Sequence, residues 1–185
     1  MMIPKNMHSK TVAILGLGVS GIAAKESLIK AGSKLYMYDD LHNLKNLKNC
    51  KITHPLKWPW ESLDEIIVSP GINVSKNNPH PVVLKAKNKK VKISNEIDLF
   101  ARSNPKSKII GITGTNGKSS TTAMIGHILN KINIPVVIGG NIGKAATDLS
   151  DPGEKGYIIL ELSSYQLELC SELKLDAGII LNISS

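Results

Sequence analysis

Aromatic residues are scarce in this chain of 185 residues, with four tyrosines, two tryptophans and one phenylalanine. Little is therefore available for stacking on bases. Cysteine is scarcer still: Cys50 and Cys170 are the two present. Two thiols cannot build the disulfide framework of a small secreted domain, and they point to a reducing, intracellular setting. No uncharged run approaches the roughly 18 residues that a membrane span needs. The first ten residues hold no apolar block of signal-peptide length. Arginine is almost missing, with Arg102 standing alone. Secreted, membrane-spanning, collagen-like and coiled-coil classes are set aside on these grounds.

What is present is lysine. The formal charge of +8 comes from 23 basic against 15 acidic side chains. Residues 1–105 carry 16 basic and 8 acidic side chains, and residues 106–185 carry 7 of each. Base reading and bidentate phosphate contacts favour arginine over lysine. The lysines are not interleaved with aromatics, so no nucleic-acid partner is expected. The densest run, at residues 85–92, reads as a solvated helix end and turn. With 42% hydrophobic residues a packed core is within reach, and the length suits one large domain or two small ones.

Short apolar runs alternate with longer mixed segments, the pattern of a parallel α/β sheet. Strands are predicted at 11–15, 34–38, 65–69, 91–93, 108–113, 135–138, 156–162 and 177–183. Helices are predicted at 20–31, 81–88, 96–102, 118–132 and 165–172. Many of the strands are apolar and β-branched throughout, as strands buried on both faces are. The polar segment 102–107 contains Pro105 and sits between two strand–glycine-loop–helix units. A domain boundary is expected there, giving domains at 1–105 and 106–185.

The first glycine loop is Gly16-Leu17-Gly18-Val19-Ser20-Gly21, between a strand and a helix. Glycines permit a tight turn and let a diphosphate approach the backbone at a helix N-terminus. The next strand ends at Asp39-Asp40, where an acidic side chain typically accepts a ribose hydroxyl. The motif alone does not separate NAD from a nucleotide-sugar diphosphate, and a turn that merely packs helix on strand is the plain alternative. Ser69-Pro70-Gly71 follows another strand and falls at the same carboxyl edge of the sheet, where ligands of open α/β sheets bind.

The second loop is Gly114-Thr115-Asn116-Gly117-Lys118-Ser119-Ser120. Lys and Ser after a glycine turn form the working end of a phosphate-binding loop. The lysine reaches the terminal phosphates and the Ser119 hydroxyl can join a Mg²⁺ shell. Ile112 stands where the strict pattern has glycine, so the loop is a variant. Glu161 ends an apolar strand, where a carboxylate is costly to bury unless paired or metal-bound. Beside a nucleotide loop Mg²⁺ is its natural partner, with Glu161 and Ser119 as candidate ligands. Gly139-Gly140-Asn141-Ile142-Gly143 brings backbone and an amide close to a ligand or simply connects two elements. The histidines His8, His42, His54, His80 and His127 lack metal-ligand spacing. Trp58-Pro59-Trp60 reads as packing.

Taken together, residues 114–119, 139–143 and the run Glu161-Leu162-Ser163-Ser164-Tyr165-Gln166-Leu167-Glu168 resemble the Mur ligases, along essentially the whole chain. The resemblance implies a Rossmann-like parallel-sheet domain that binds a UDP-sugar, followed by a truncated P-loop α/β domain that binds ATP. It implies a cytoplasmic step of peptidoglycan synthesis. ATP would phosphorylate the carboxylate of UDP-N-acetylmuramoyl-L-alanine, and the amine of D-glutamate would attack the acyl phosphate. Carried over residue by residue, Val19, Ser20, Asp39, Ser69 and Gly71 match the uridine diphosphate site. Gly117, Lys118, Ser119 and Ser120 match the ATP phosphate loop, with Lys118 and Glu161 in catalytic roles. Glu161 and Ser119 match the Mg²⁺ site, and Asn141 and Ser163 match contacts to the muramoyl substrate.

Two departures stand out. Leu41 replaces an arginine found in some members. The chain also ends at 182–185, where family members continue with an Asp-His pair, then a carbamylated lysine and a C-terminal domain. The resemblance therefore implies a ligase fragment inactive alone. The alternatives are a non-catalytic nucleotide-binding module, or half of a split enzyme whose partner is a separate C-terminal chain. An NAD dehydrogenase would leave Lys118 and Glu161 unexplained.

Overall fold

Strand β1 (Thr11–Leu15) is buried along almost its whole length and pairs in parallel with β2 (Lys34–Tyr38) on one side and β4 (Glu65–Val68) on the other. This computed structural model describes residues 1–41 and 51–184. His42, Cys50 and Ser185 lie outside the described residues. The chain divides into two units, residues 3–96 and residues 97–185 together with Met1 and Met2.

In the first unit β3 (Lys51–Ile52) and β5 (Lys92–Ser94) complete a parallel sheet of order β3-β2-β1-β4-β5. Helix α1 (Val19–Lys30) lies against β1, β2 and β4, and α2 (Pro81–Asn88) lies against β5. Burial on both faces explains why Val12, Ile14, Ile66 and Ile67 carry no polar alternation. This is the Rossmann-like arrangement expected of the chain, with β1 at its centre. The two-residue β3 is too short to leave a periodic signal.

The second unit contains α3 (Glu96–Ser103), β6 (Lys108–Thr113), α4 (Lys118–Lys131), β7 (Val136–Gly140), β8 (Tyr157–Glu161), α5 (Ser164–Leu169) and β9 (Ala177–Ile180). Its sheet is parallel throughout, in the order β7-β8-β6-β9. Helix α3 supplies Ile97 and Phe100 to a core shared with Ile109, Ile158 and Leu160. The unit boundary therefore falls at the start of α3, ahead of the polar segment at 102–107. That segment forms a connection within the second unit, with Lys106 and Ser107 bonded to Asp151.

Two predicted elements end three residues early. Helix α5 stops at Leu169 instead of 172, because the Ser171 and Glu172 N–H groups donate to Asp98 of α3 at 2.9 Å each. Strand β9 stops at Ile180 instead of 183, because its partner β6 ends at Thr113 and the next residues bond the second glycine loop. Both tryptophans pack as expected, with their indole N–H groups donating to the Thr53 and Pro55 carbonyls. The basic run is anchored piecewise: Lys85 lies over the Trp60 ring, Lys87 donates to the Val74 carbonyl and Lys89 pairs with Glu61.

Candidate functional site

The first glycine loop leaves β1 at its carboxyl end, and its three glycines have three different reasons. Gly16 has φ +89°, and a side chain there would meet Ser69 at 2.7 Å. A side chain on Gly21 would meet the Gly16 carbonyl, so this glycine permits close helix–strand packing. Gly18 has an ordinary backbone, and a Cβ there would meet nothing within 4 Å. The space it leaves opens on a cavity of about 660 Å³.

Val19, Ser20, Asp39, Ser69 and Gly71, the five residues singled out for a uridine diphosphate, all line this cavity. Two of them also hold the loop itself. The Asp39 carboxylate accepts the Leu17 N–H at 2.6 Å and the Leu41 N–H at 2.8 Å. The Ser69 hydroxyl donates to the Gly16 carbonyl at 2.9 Å. Helix α1 has no side-chain cap, so its first N–H groups face the cavity without a covalently attached competitor.

The wall opposite the loop is one that sequence reasoning missed. His80 caps α2: its Nδ1 accepts the Val82 N–H at 3.2 Å, and its Nε2 lies 2.9 Å from Asp40 Oδ2. His54 caps a short turn in the same way through Leu56. The His-Pro pairs at 54–55 and 80–81 were the available signal, since proline is favoured at the first helical position after a capping side chain. Leu41 also lines the cavity and is almost fully exposed.

In the second unit Gly117 adopts φ +83° and begins α4, again without a side-chain cap. By contrast Ser163 and Gln166 form a full capping box on α5. The bare N-terminus of α4 leaves its first backbone donors to an anion. Lys118 Nζ donates to the carbonyls of Gly114 and Thr115 at 2.7 and 3.0 Å, folding over the loop.

Glu161 lies at the end of β8 and is 1% exposed. Ser119 Oγ donates to its Oε2 at 2.7 Å and Asn141 Nδ2 donates to its Oε1 at 2.8 Å. The Asn141 N–H also donates to the Glu161 carbonyl, and Gly140 lets the backbones approach, since a Cβ there would collide with that carbonyl. Two neutral donors do not compensate a buried carboxylate, and among the described residues Glu161 has no cationic side chain as partner. Glu65, buried at the start of β4, differs: it has Ser94 and the lysine Lys92.

A hard cation fits beside Glu161. The carboxylate and the Ser119 hydroxyl are oxygen donors, the kind Mg²⁺ takes, and Mg²⁺ completes its shell with water and phosphate oxygens. Among the described residues no group of three or more His, Cys, Asp and Glu side chains is assembled for a metal.

Lys118, Ser119, Glu161 and Asn141 thus lie around one loop, as do Gly114 to Gly117 and Ser120. Ser163 is engaged differently. Its hydroxyl accepts the Gln166 N–H at 3.2 Å, and the Gln166 side chain accepts the Ser163 N–H at 2.9 Å. Asn182, just beyond β9, was not anticipated at all, yet it bonds the backbone of Asn116 from both ends.

Residues 112–185 match the family model of the Mur ligase middle domain. A UDP-N-acetylmuramoylalanine–D-glutamate ligase of Wolbachia sp. subsp. Brugia malayi is 42% identical over 87% of this chain and 33% of its own length. The ligase of the same name from Caulobacter sp. is 39% identical over 99% of this chain and 41% of its own. The chain thus spans about a third to two-fifths of such relatives. Among solved structures, UDP-N-acetylmuramate:L-alanyl-γ-D-glutamyl-meso-diaminopimelate ligase from Neisseria meningitides shares the fold, with a TM-score of 0.56 and 15% identity over 95% of this chain and 61% of that one.

Proposed function

We propose, from the match of residues 112–185 to the Mur ligase middle domain, that this chain is the N-terminal and part-central share of an ATP-dependent ligase joining D-glutamate to UDP-N-acetylmuramoyl-L-alanine in the cytoplasm. The observation that carries the reading is Glu161, a buried carboxylate gripped by Ser119 and Asn141 beside a phosphate-binding loop. The named relatives supply the substrate class.

In this reading the cavity at Gly18 holds the uridine diphosphate. Val19 and Ser20 present the start of α1 to the phosphates, and Asp39 and Ser69 keep the loop in shape. Asn141 and Ser163 are assigned as contacts to the muramoyl substrate. Gly117, Lys118, Ser119 and Ser120 receive the phosphates of ATP, and Lys118 neutralises charge on the transferring group. Mg²⁺, held by Glu161 and Ser119, would supply further charge neutralisation. The substrate carboxylate takes the terminal phosphoryl group, and the amine of D-glutamate displaces phosphate from the acyl phosphate. Such transfer is catalysed chiefly by positioning and electrostatic stabilisation.

The limited share of its relatives' length favours a second reading for the chain by itself: it binds both nucleotides and does not turn over. Titration calorimetry with UDP-N-acetylmuramoyl-L-alanine and with MgATP, alongside an assay for D-glutamate-dependent ADP release, tests both. Saturable binding of each nucleotide supports the assignment, and amide formation on adding a C-terminal chain would make this half of a split enzyme. Amide formation by the chain alone would remove the second reading. NAD binding in place of the UDP-sugar would remove both.

A further inference from the structure

Asn182 carries no local sequence signature, being one polar residue after an apolar strand. In the fold it runs beside the phosphate-binding loop. The Asn116 N–H donates to Asn182 Oδ1 at 2.9 Å, and Asn182 Nδ2 donates back to the Asn116 carbonyl at 3.0 Å. The Thr115 N–H donates to the Asn182 carbonyl at 3.1 Å. On either side, the Leu181 N–H donates to the Thr113 carbonyl at 3.0 Å and the Ser184 N–H donates to Thr115 Oγ1 at 3.1 Å. Gly114 makes the approach feasible. It has φ +143°, and a Cβ there would meet the Asn182 backbone at 3.1 Å.

These bonds divide the loop in two. The N–H groups of Thr115 and Asn116 are taken up by Asn182, so they are not donors to a phosphate. Those of residues 117–120 open α4, where an α-helix has no internal partners for them. The Lys118 ammonium leans on the carbonyls of Gly114 and Thr115. A strap that holds 115–116 therefore fixes both the direction of the free donors and the seat of the lysine.

We infer that Asn182 is a positioning residue of the phosphate-binding loop: it clamps Thr115 and Asn116 so that the backbone donors of Gly117, Lys118, Ser119 and Ser120 face the nucleotide phosphates. The inference rests on the proposed reading of this loop as the ATP site. It assigns residues 114–116 a shaping role and residues 117–120 the contact role. Preorganised donors bind better because no ordering is needed at the moment of binding.

The test compares the unaltered chain with Asn182→Ala and Asn182→Asp. Asp keeps an acceptor for the Asn116 N–H and loses the return donor. MgATP affinity is expected to fall about tenfold in both, the worth of one or two net hydrogen bonds. UDP affinity, read at the first unit, is expected to stay within about twofold, which general unfolding would not allow. Amide hydrogen exchange on the unaltered chain gives a readout independent of how the variants fold. Thr115 and Asn116 are expected to be protected without nucleotide and unchanged by MgATP, whereas residues 117–120 gain protection on its addition. Equal MgATP affinity in folded variants, or new protection at 115–116 on adding MgATP, would overturn the clamp while leaving the ATP site in place. No saturable MgATP binding by the unaltered chain would remove the ATP site and the clamp with it.

Discussion

The Ser69 hydroxyl donates to the Gly16 carbonyl across 53 positions of sequence, at 2.9 Å. A residue chosen for contact with a ligand thus also holds the loop that makes the contact. Ser69→Ala leaves the Gly16 carbonyl without this donor. We expect a loss of stability of roughly 1 kcal/mol and weaker UDP binding, read by thermal unfolding and titration. Unchanged values in both would show that the loop holds its shape unaided.

Gly18 and Gly21 separate binding from folding. Gly18→Ala adds a methyl group that touches no protein atom within 4 Å, so its unfolding midpoint should match the unaltered chain while UDP affinity falls. Gly21→Ala drives a methyl group into the Gly16 carbonyl and should destabilise the first unit by roughly 1–3 kcal/mol. The reverse ranking would mean that the cavity is not a phosphate site.

Glu161→Gln keeps the size of the side chain and removes its charge. Affinity for ATP in the presence of Mg²⁺ should fall more than tenfold, with little Mg²⁺ dependence left. Stability without ligands should hold or rise, because a buried charge without a cation is unfavourable. A variant that melts early yet keeps its Mg²⁺ dependence would place the carboxylate in a purely structural role.

How much of this could be read from the sequence depends on how local each signal is. The bounds of β1, β2, β6 and α2 coincide with their apolar patterns; β1 is buried almost throughout and α2 is capped by His80 just ahead of it, so their signals are local. Glu161 was legible since a carboxylate inside an apolar strand demands an explanation. The early end of α5 was not, because the competing acceptor, Asp98, comes from α3 some 73 residues earlier. Nor was the placement of α3, whose Phe100 joins a core built mainly from later residues. Asn182 and the His80–Asp40 contact were hidden for the same reason: their partners lie 66 and 40 positions away.

Burial, and then the carboxylate of Asp98, push the Cys170 thiol up to about 11. Thiolate is the reactive form, so at neutral pH alkylation should run about a hundredfold slower than for a free thiol. The rate should rise about tenfold per pH unit and level off only above about pH 11. Iodoacetamide kinetics on a Cys50→Ser background report Cys170 alone. A rate equal to that of a model thiol would contradict the buried setting.

Asp64, just before β4, accepts hydrogen bonds from the Lys10 ammonium and the Thr11 N–H at 2.7 and 2.8 Å. The hydrogen bond from Lys10 and that from Thr11 hold its carboxyl below the ordinary carboxylate range. A depressed folded-state value means that its contribution is complete above about pH 4 and disappears as the pH falls through the lower folded value. The pair is half exposed, so the effect is small, roughly 0.5–1 kcal/mol. Asp64→Asn should flatten the acid side of the stability profile by that amount, measured by denaturant unfolding between pH 2 and 7.

The strap from Asn182 also has a consequence in time. A chain is made from its N-terminus, and residue 182 emerges 66 positions after residue 116. At roughly 5–20 residues per second the delay is about 3–13 s. During that interval the nascent second unit has its glycine turn and its lysine but no clamp across 115–116. A ribosome-bound polypeptide is then expected to acquire its grip on nucleotide late and abruptly, once β9 and Asn182 have emerged, and not gradually as each preceding strand is added.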